Sequence, residues 1–352
     1  MIFDLTASIA DLQVSDKNRL HNVISDLLSV HRAGHHLMIV PRELADWLVA
    51  NIAFNDRDKA LLNWLKDDFT QSEQLLEIAD IRVSVAPSNK AGIVVEANRI
   101  VVGLNDVNWT YLLDRANLLI EDAEYDGQLY LKILQACKSK VGAPNVVFDR
   151  RNGGGTGIFH VWRHQVTEGH LVCLVADSDR RHPDSPVPAT FSEARAFAEG
   201  KEFPFAWCHP LPCLEIENLL PLEILKQLPC VFQKAADIDA LSLIAANEDQ
   251  AKVEVLKRFH LFYDLKIGIK AGDLEAQHPA GMSDWYKKKM NVGGKGAAYK
   301  GFGENILSQL LADGELLAKF LREVKRRDWW EAFGSFFSLL LWVGFAPDVR
   351  RL

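Results

Sequence analysis

Apolar and polar residues alternate along the chain with two different spacings, and the change of spacing divides the sequence into three regions. The first region, residues 1–112, combines apolar residues at helical spacing with two short β-like runs, which is a mixed α/β pattern. It predicts helices over residues 20–30, 41–52 and 59–69 and strands over residues 81–85 and 100–102, with a turn at Pro87-Ser88-Asn89 between the strands.

The second region, residues 113–225, alternates short apolar runs with helical segments. Its predicted strands cover residues 118–120, 145–148 and 171–176, and its predicted helices cover residues 126–137 and 158–167. Such alternation is typical of a parallel sheet with both faces covered. The third region, residues 226–352, is helix-rich, with a β-like run at 261–269 and a Gly/Lys-rich loop at 290–303. We therefore expect an α/β fold with a central Rossmann-like parallel sheet.

The composition is that of a globular protein in a reducing compartment. The chain has 352 residues and 48% hydrophobic content, enough for a large core. Its five cysteines are an odd number in a long chain and do not form a disulfide framework. The N-terminus lacks the basic segment of a signal peptide, so we expect a cytoplasmic protein. The apolar stretch at 333–346 is shorter than the roughly 20 residues of a membrane span, which predicts a buried helix or an oligomer contact and no membrane partner.

The net charge of −7 excludes a protein that coats nucleic acid through a general basic surface. The charge is uneven, with 17 Lys and Arg against 12 Asp and Glu from Lys252 to Leu352, and 23 against 35 in the remainder. An acidic body with a more basic C-terminal third is compatible with an acidic metal site that binds a polyanion.

Acidic residues follow two of the predicted strands at the point where each strand ends. Glu121 comes directly after the first strand, with Asp126 at the start of the next helix. Asp177 and Asp179 come directly after the third strand, and residues two apart in extended backbone point the same way. Because the carboxyl ends of parallel strands meet at one edge of a sheet, we expect these carboxylates to converge. Grouped carboxylates need a neutralising cation, and oxygen ligands favour Mg²⁺ or Mn²⁺.

These residues resemble the motifs of the TOPRIM family, the domain shared by topoisomerases, primases and overcoming-lysogenization-defect nucleases. The family has a strand that ends in Glu, a glycine-bearing second turn and a strand that ends in Asp-x-Asp. The matching segments are LLIED at Glu121, the glycine loop 153–157, LVADSD at Asp177 and Asp179, and a Glu-Asn element at Glu217 in LEIENLLP. Two departures are that Asp122 replaces a glycine and that Asp126 comes five residues after Glu121, where the family has four, with Glu124 as a rival.

The resemblance implies a TOPRIM domain that binds Mg²⁺ or Mn²⁺. The implied metal ligands are Glu121, Asp126, Asp177, Asp179 and Glu217, and the implied catalytic residues are Glu121, Asp177 and Asp179. The extra modules of topoisomerases and primases are not evident, so the nuclease branch is favoured. The implied activity is that of a metal-dependent endonuclease, a hydrolase of nucleic-acid phosphodiesters, with DNA preferred to RNA as the substrate. The implied biological role is antiviral defence in bacteria.

Candidate substrate-binding residues are glycines and cations. Gly154 and Gly155 precede a predicted helix, whose backbone amides can bind phosphate. Arg180 adjoins the acidic motif, whereas Lys287 and Lys295 lie near aromatic residues in a basic segment suited to stacking bases and neutralising phosphates. Neither glycine-rich segment continues as Gly-Lys-Ser/Thr, so any ATP gating would require a separate ATPase partner.

Two other interpretations remain open. The chain could be a non-catalytic TOPRIM-fold subunit that binds nucleic acid or a partner ATPase, although such a subunit has no need to tolerate the repulsion of Glu121, Asp177 and Asp179. A Rossmann-like nucleotide-binding enzyme would need Gly-x-Gly-x-x-Gly after the first strand, where acids stand instead.

Overall fold

The computed structural model describes residues 1–350 except for 6, 14, 87–92, 105–108, 201–203, 249–252, 271, 273–279 and 297. The turn predicted at Pro87-Ser88-Asn89 lies outside the described residues. The described strands are β1 (Ile2–Leu5), β2 (Leu37–Ile39), β3 (Arg82–Ala86), β4 (Ile93–Glu96), β5 (Arg99–Gly103), β6 (Asn117–Ile120), β7 (Asn145–Val146), β8 (Asp149–Asn152), β9 (Val172–Ala176), β10 (Ala206–Pro210), β11 (Gly268–Lys270), β12 (Ala298–Lys300) and β13 (Phe345–Ala346). The described α-helices are α1 (Ile9–Gln13), α2 (Lys17–Arg32), α3 (Arg42–Asn51), α4 (Asp56–Ser72), α5 (Gln74–Ile78), α6 (Trp109–Leu112), α7 (Tyr125–Cys137), α8 (Ile158–Glu168), α9 (Ala189–Gly200), α10 (Leu222–Leu225), α11 (Pro229–Phe232), α12 (Ala235–Asn247), α13 (Ala280–Val292), α14 (Ile306–Ala312), α15 (Gly314–Glu323) and α16 (Arg327–Val343).

The first region forms a five-stranded sheet in the order β2-β1-β3-β5-β4. All its pairings are parallel except that β4 runs antiparallel to β5. Strand β1 is buried along its whole length, and its one acid, Asp4, is 3.4 Å from the Arg82 guanidinium and accepts a hydrogen bond from Ser84. The predicted helices at 20–30, 41–52 and 59–69 and both predicted strands are confirmed, as α2, α3, α4, β3 and β5.

The central sheet has the order β10-β9-β6-β8, and all its strands are parallel. Successive side chains of a strand point to opposite faces. Leu118 and Ile120 accordingly belong to the large core of the protein, whereas Leu119 and Leu174 pack with Trp162 in a smaller core on the other face. The α/β fold with a central parallel sheet covered on both faces is therefore confirmed.

Both edge strands of this sheet differ from the prediction. The apolar run at 145–148 contributes only β7, which pairs antiparallel with β13 outside the central sheet. The strand next to β6 is instead β8, whose sequence DRRN is polar because an edge strand is partly exposed to solvent. Strand β10 ends in proline, which lacks an amide donor and is tolerated only at such an edge. Neither strand has the apolar pattern by which the sequence predicts a strand.

The third region packs onto the second and shares its core. Helix α7 of the central region contacts α14, α15 and α16. The predicted helix-rich character is confirmed, but two details were wrong. The β-like run at 261–269 begins in a 3-10 turn, and only its end belongs to β11, which pairs with β12. The segment 290–303, predicted to be a loop, instead contains the end of α13 and the strand β12.

The apolar stretch at 333–346 lies mostly in α16, as the buried-helix prediction expects. Phe333, Phe337 and Leu340 of this helix are buried in the large core. Across the described ranges, no helix has both the length and the apolar character of a membrane span.

Candidate functional site

Two acidic residues lie side by side where β6 and β9 end. These strands are adjacent and parallel, so Glu121 and Asp177 leave the sheet at the same edge. The Asp177 backbone amide donates a hydrogen bond to the Glu121 carboxylate. Both side chains line a cleft of about 510 Å³. The described lining residues are Glu121, Asp122, Tyr125, Asp126, Gly155, Asp177, Glu217, Lys266, Glu304, Asn305, Leu307 and Ser308.

The segment that follows β10 brings further carboxylates to this edge. The hydroxyl of the fully buried Ser178 donates a 2.5 Å hydrogen bond to the Cys213 carbonyl, and the Ser178 amide donates to the Leu214 carbonyl at 3.1 Å. These two bonds hold the Asp-Ser-Asp segment against residues 213–215. Glu215 and Glu217 consequently lie close enough to Asp177 for their charges to act on it.

Asn218 fixes the position of this segment. It lies in the 3-10 turn Ile216–Leu219 and is buried. Its side-chain oxygen accepts a hydrogen bond from the Glu215 amide at 3.0 Å, and its NH2 group donates to the carbonyls of His260 at 2.6 Å and Tyr263 at 2.9 Å. A side-chain amide supplies both an acceptor and two donors, which a carboxylate does not. The Glu-Asn element thus connects the acidic segment to a distant part of the chain.

That distant part carries a lysine that lies among the carboxylates. The Lys266 ammonium is 3.4 Å from Glu217 Oε1 and 3.5 Å from Glu215 Oε2. Burial alone would lower the pKa of Lys266, but the charges of Glu217, Glu215 and Asp177 outweigh burial and raise it. The lysine therefore stays protonated and supplies part of the neutralising charge that the sequence analysis assigned to a metal ion. The acidic motifs do not predict Lys266 as a site residue, because Lys266 lies far from these motifs in the sequence.

Burial raises the pKa values of the carboxyl groups in this cluster. It raises the pKa of Asp126 to about 6, with Asp122 adding to the shift. It also raises the pKa of Glu215 to about 7, against the opposing charge of Lys266. The pKa of Asp177 lies well above its ordinary value because burial is reinforced by Glu217 and Glu121. The described lining of the cleft holds six acids and one lysine, so Lys266 alone does not balance their charge when they are ionised.

Asp179 lies apart from the cleft lining. It is exposed and has a φ of 52°, in the left-handed region that residues other than glycine rarely adopt. The sequence argument that Asp177 and Asp179 point the same way requires extended backbone, and the backbone is not extended at Asp179. Its charge nevertheless acts on Glu121, whose pKa is raised first by burial and then by Asp179.

The loop after β8 supplies one predicted substrate-binding residue to the cleft. Gly155 lines the cleft, and its neighbour Gly154 is exposed beside it. The φ angles of 69° at Gly154 and 60° at Gly155 place both in the left-handed region, which explains the glycines. They precede α8, as predicted.

The predicted substrate-binding cations lie elsewhere. The Arg180 guanidinium donates a 2.9 Å hydrogen bond to the Ser185 carbonyl of its own loop. Lys287 is exposed on α13, and the Lys295 ammonium is 3.0 Å from Asp237 Oδ1. None of these three cations is among the described residues that line the cleft.

The cleft also has lining residues that the sequence analysis missed. Tyr125 lies at the start of α7 with its ring partly exposed, and Glu304, Asn305 and Ser308 lie at the start of α14 on the opposite wall. No motif marks these residues. Glu304, Asn305 and Ser308 reach the cleft through the packing of α14 against α7.

The carboxylates suit a Mg²⁺ or Mn²⁺ ion by chemical type. All the candidate ligands are oxygens, and the buried Glu217 Oε2 has no hydrogen-bond partner in the described structure, which is unusual for a buried carboxylate oxygen. Within the part of the chain that is described, however, no three His, Cys, Asp or Glu side chains are grouped closely enough to hold a metal ion. The donor set therefore fits the metal, but the side chains would have to move closer together to bind it.

Comparison with known proteins gives no identification. No family model, no curated protein and no solved structure matches the chain. The resemblance to the TOPRIM family therefore rests on the sequence motifs alone.

Proposed function

We propose that this chain is a Mg²⁺- or Mn²⁺-dependent endonuclease whose active site is the acidic cleft at the edge of the central sheet. The observation that carries the proposal is that Glu121, Asp126, Asp177 and Glu217 line one cleft together with Lys266. Clustered carboxylates with raised pKa values, at the carboxyl ends of parallel strands, are typical of a functional site.

The acidic side chains would hold the metal ion, with Asp177 and Glu217 at the buried end of the cluster and Glu121, Asp126 and Asp179 nearer the solvent. A bound Mg²⁺ supplies an activated water and positive charge for the phosphoryl oxygens. Because burial raises its pKa, Glu121 takes up a proton more readily than an ordinary glutamate and suits general acid–base catalysis.

Lys266 has a role in the proposed reaction that the sequence motifs do not indicate. Its ammonium, 3.4 Å from Glu217, offers positive charge to a phosphate oxygen that enters the cleft. A cleft with this excess of carboxylates repels a polyanion unless further positive charge is bound. The electrostatics therefore support a metal ion as part of the substrate-binding site.

The finer parts of the proposal come from the TOPRIM resemblance alone. They are a preference for DNA over RNA, a role in antiviral defence, and regulation by a separate ATPase. The sequence lacks an ATPase motif of its own, which is why the ATPase is proposed as a partner.

A second candidate function is that of a non-catalytic subunit that binds nucleic acid or a partner ATPase. The ion pairs of Lys266 with Glu215 and Glu217 favour it, because they lessen the carboxylate repulsion that otherwise argues for a metal. This candidate requires that the acidic cleft bind no divalent ion.

The decisive experiment measures cleavage of plasmid DNA, single-stranded DNA and total RNA by the purified full chain. Reactions contain Mg²⁺, Mn²⁺ or EDTA, and the variants are Asp177→Asn and Glu121→Gln. Glu199→Gln is the matched control, since Glu199 is exposed on α9 and is not among the described lining residues of the cleft. We expect metal-dependent cleavage that both site variants abolish and the control retains.

Two outcomes would overturn the proposal. Cleavage that survives both site variants would place the chemistry elsewhere in the chain. Absence of cleavage, together with no Mn²⁺ binding by calorimetry, would favour the non-catalytic subunit.

A further inference from the structure

One aromatic side chain lines the acidic cleft with its ring open to solvent. Tyr125, at the start of α7, is 41% exposed. The Asp122 carboxylate positions it, because it accepts hydrogen bonds from the Glu124 amide at 2.7 Å and the Tyr125 amide at 3.2 Å. Among the described residues, none stacks on the ring of Tyr125 or hydrogen-bonds to its hydroxyl group. The ring therefore offers a surface on which a planar group can stack.

An arginine lies on the same rim of the cleft. Arg150 belongs to β8, and its guanidinium donates a 3.1 Å hydrogen bond to the Ala123 carbonyl. Ala123 precedes Tyr125 by two residues, which span at most about 7 Å of chain. The segment between β6 and α7 thus carries the aromatic ring and also binds the arginine.

Helix α7 leaves room for this arginine. Gly127 is buried in the first turns of the helix, and a Cβ on it would lie 3.0 Å from the Arg150 Cδ atom. The absence of a side chain lets the aliphatic part of Arg150 lie against the helix. Arg150 is exposed, and no described carboxylate lies within ion-pair distance of its guanidinium. Its charge is therefore available to an anionic group that arrives from solvent.

The next residue of β8 has a different orientation. Successive side chains of a strand point to opposite faces of the sheet. The Arg151 guanidinium accordingly donates a 3.2 Å hydrogen bond to the Asn117 side chain and lies 3.8 Å from the Asp149 carboxylate. Of these two adjacent arginines, Arg150 is the one beside the cleft.

We propose that the rim formed by Tyr125 and Arg150 binds one unpaired nucleotide of a single-stranded nucleic acid. The base stacks on Tyr125, and an adjoining phosphate contacts Arg150. Aromatic stacking combined with basic contacts to the backbone is how proteins bind single strands without regard to sequence. A base inside a duplex has both faces covered by its neighbours, so this rim selects a strand that is single or locally open. The inference rests on the proposed function, because it names the substrate class of that same cleft.

The charges of the cleft favour this mode of binding. Its described lining holds six acids, which repel phosphates but not a neutral base. Phosphates are attracted instead to the cations, Arg150 on the rim and Lys266 within the cleft. On the opposite wall, Asn305 occupies the N-cap position of α14, but its side chain forms no capping hydrogen bond. Its amide can therefore donate to or accept from the edge of a base.

Fluorescence anisotropy of labelled oligonucleotides measures binding to the full chain without any need for cleavage. The probes are oligothymidylate, oligouridylate, the duplex of each with its complementary strand, and an abasic strand that has phosphates but no bases. Titrations are run with Ca²⁺, which prefers oxygen ligands as Mg²⁺ does, and with EDTA. Binding is then detected whether or not the cleft holds a cation.

We expect at least one of the single strands to bind about tenfold or more tightly than its duplex and than the abasic strand, because a stacked base contributes strongly to affinity. Tighter binding of oligothymidylate would identify DNA as the ligand, and tighter binding of oligouridylate would identify RNA. Equal binding would identify the chemistry that the two strands share.

Variants of Tyr125 test the stacking. Tyr125→Ala should weaken binding of the preferred single strand by about tenfold and leave binding of the abasic strand unchanged. Tyr125→Phe keeps the ring and should retain the affinity. The control is Phe232→Ala, because Phe232 is an exposed aromatic residue of α11 and is not among the described residues that line the cleft. Circular dichroism checks that each variant folds.

The two arginines of β8 test the phosphate contact. Arg150→Gln should weaken binding of the single strand and of the abasic strand alike. It should also reduce the slope of log affinity against log salt concentration by about 0.7, because one phosphate contact to a single strand is lost. Arg151→Gln is the matched control and should leave both affinities unchanged, since its guanidinium lies among other partners.

The proposal fails if no single strand binds, if the duplex binds as tightly as the single strand, or if Tyr125→Ala weakens the single and abasic strands equally. It also fails if Arg150→Gln and Arg151→Gln have the same effect. Cleavage without a preference for single strands would leave the nuclease proposal standing and overturn this one. Binding with the expected preference but without metal-dependent cleavage would do the reverse.

Discussion

The Lys266 ammonium lies within 3.5 Å of two partly or wholly buried carboxylates, Glu215 and Glu217. Lys266→Met would leave these carboxylates without a cation. Removing one partner of a buried ion pair is strongly destabilising, and the partial exposure of Lys266 reduces the effect, so we expect a loss of about 1–3 kcal/mol in unfolding free energy at neutral pH. Urea unfolding of the full chain measures this loss.

The same variant should be less destabilised in acid. Burial raises the pKa of Glu215 to about 7, and without the lysine it rises further, so the carboxyl is protonated and neutral at about pH 5. The control is Lys270→Met, because Lys270 is exposed on β11. An equal loss at about pH 7.5 and pH 5 would show that the lysine acts through packing and not through charge.

His31 gives a second prediction at this scale, for the pH dependence of stability. It is fully buried, and its Nδ1 accepts a 3.1 Å hydrogen bond from the Met38 amide, which requires the neutral ring. Burial, reinforced by Arg350 and Arg32, lowers the pKa of His31 to about 4. Since the folded pKa lies below the unfolded value of about 6.5, the unfolded chain binds the proton first and stability falls as the pH drops through this interval.

The stability difference between the unaltered chain and His31→Gln should therefore shrink on acidification. We expect it to change by up to about 1.4 kcal/mol per pH unit between about pH 6 and pH 4.5, since one proton is involved. Chemical denaturation at several pH values measures the slope. A constant difference would mean that His31 binds its proton as readily in the folded as in the unfolded chain.

The sequence predicted the cleft residues that directly follow strands. It did not predict the cleft residues that distant segments of the chain contribute. Glu121 and Asp177 could be placed together because each directly follows an apolar run that predicts a strand. The carboxyl ends of parallel strands meet at one edge of the sheet. Lys266 and Ser308 could not, because their positions depend on how distant segments pack. Arg180 adjoins the acidic motif in the sequence, but its side chain is hydrogen-bonded to the carbonyls of its own loop.

At the scale of elements, the apolar pattern identified the interior strands β6 and β9 and missed the edge strands β8 and β10. An interior strand of a parallel sheet is apolar on both faces, so the sequence marks it clearly. An edge strand is held largely by backbone hydrogen bonds, which any sequence can make. Partial exposure then permits the polar DRRN of β8, and only the three-dimensional pairing reveals it.

The antiparallel pair of β11 and β12 directly follows Lys266 in the chain, and Gly268 is the residue on which this pairing depends. Gly268 has a φ of 94°, and an added Cβ would lie 2.3 Å from the Tyr299 carbonyl oxygen. Gly268→Ala should therefore lower the unfolding free energy by about 2 kcal/mol or more, through backbone strain and the clash. Gly314→Ala, at an open helical position, should be neutral or slightly stabilising. Thermal unfolding of the two variants makes the comparison, and equal melting temperatures would contradict it.

At the scale of the whole molecule, the three regions defined by the sequence pattern share one core. Residues from all three belong to the same apolar cluster, among them Leu28, Ile133 and Phe337. The β7 strand of the central region also pairs with β13 near residue 345. The helical and strand spacing predicts types of element, but it carries no information on which regions pack together.

A fragment of residues 113–225 should therefore not fold cooperatively. It would expose the sheet face that the other regions cover, and it would lack Lys266 beside its carboxylates. We expect weak circular dichroism at 222 nm and no sigmoidal urea transition, whereas the full chain should show one. A cooperative transition in the fragment would show that the central region is an independent domain.

The position of Lys266 in the chain also has a consequence for biosynthesis. A ribosome releases Glu121, Asp177 and Glu217 in turn before it adds the lysine that pairs with the last of them. Until that point the carboxylates lack the charge of Lys266, and Asn218 lacks the carbonyls of His260 and Tyr263 that accept its hydrogen bonds. The cleft is therefore assembled late in translation, and a chain interrupted before this point lacks a complete site.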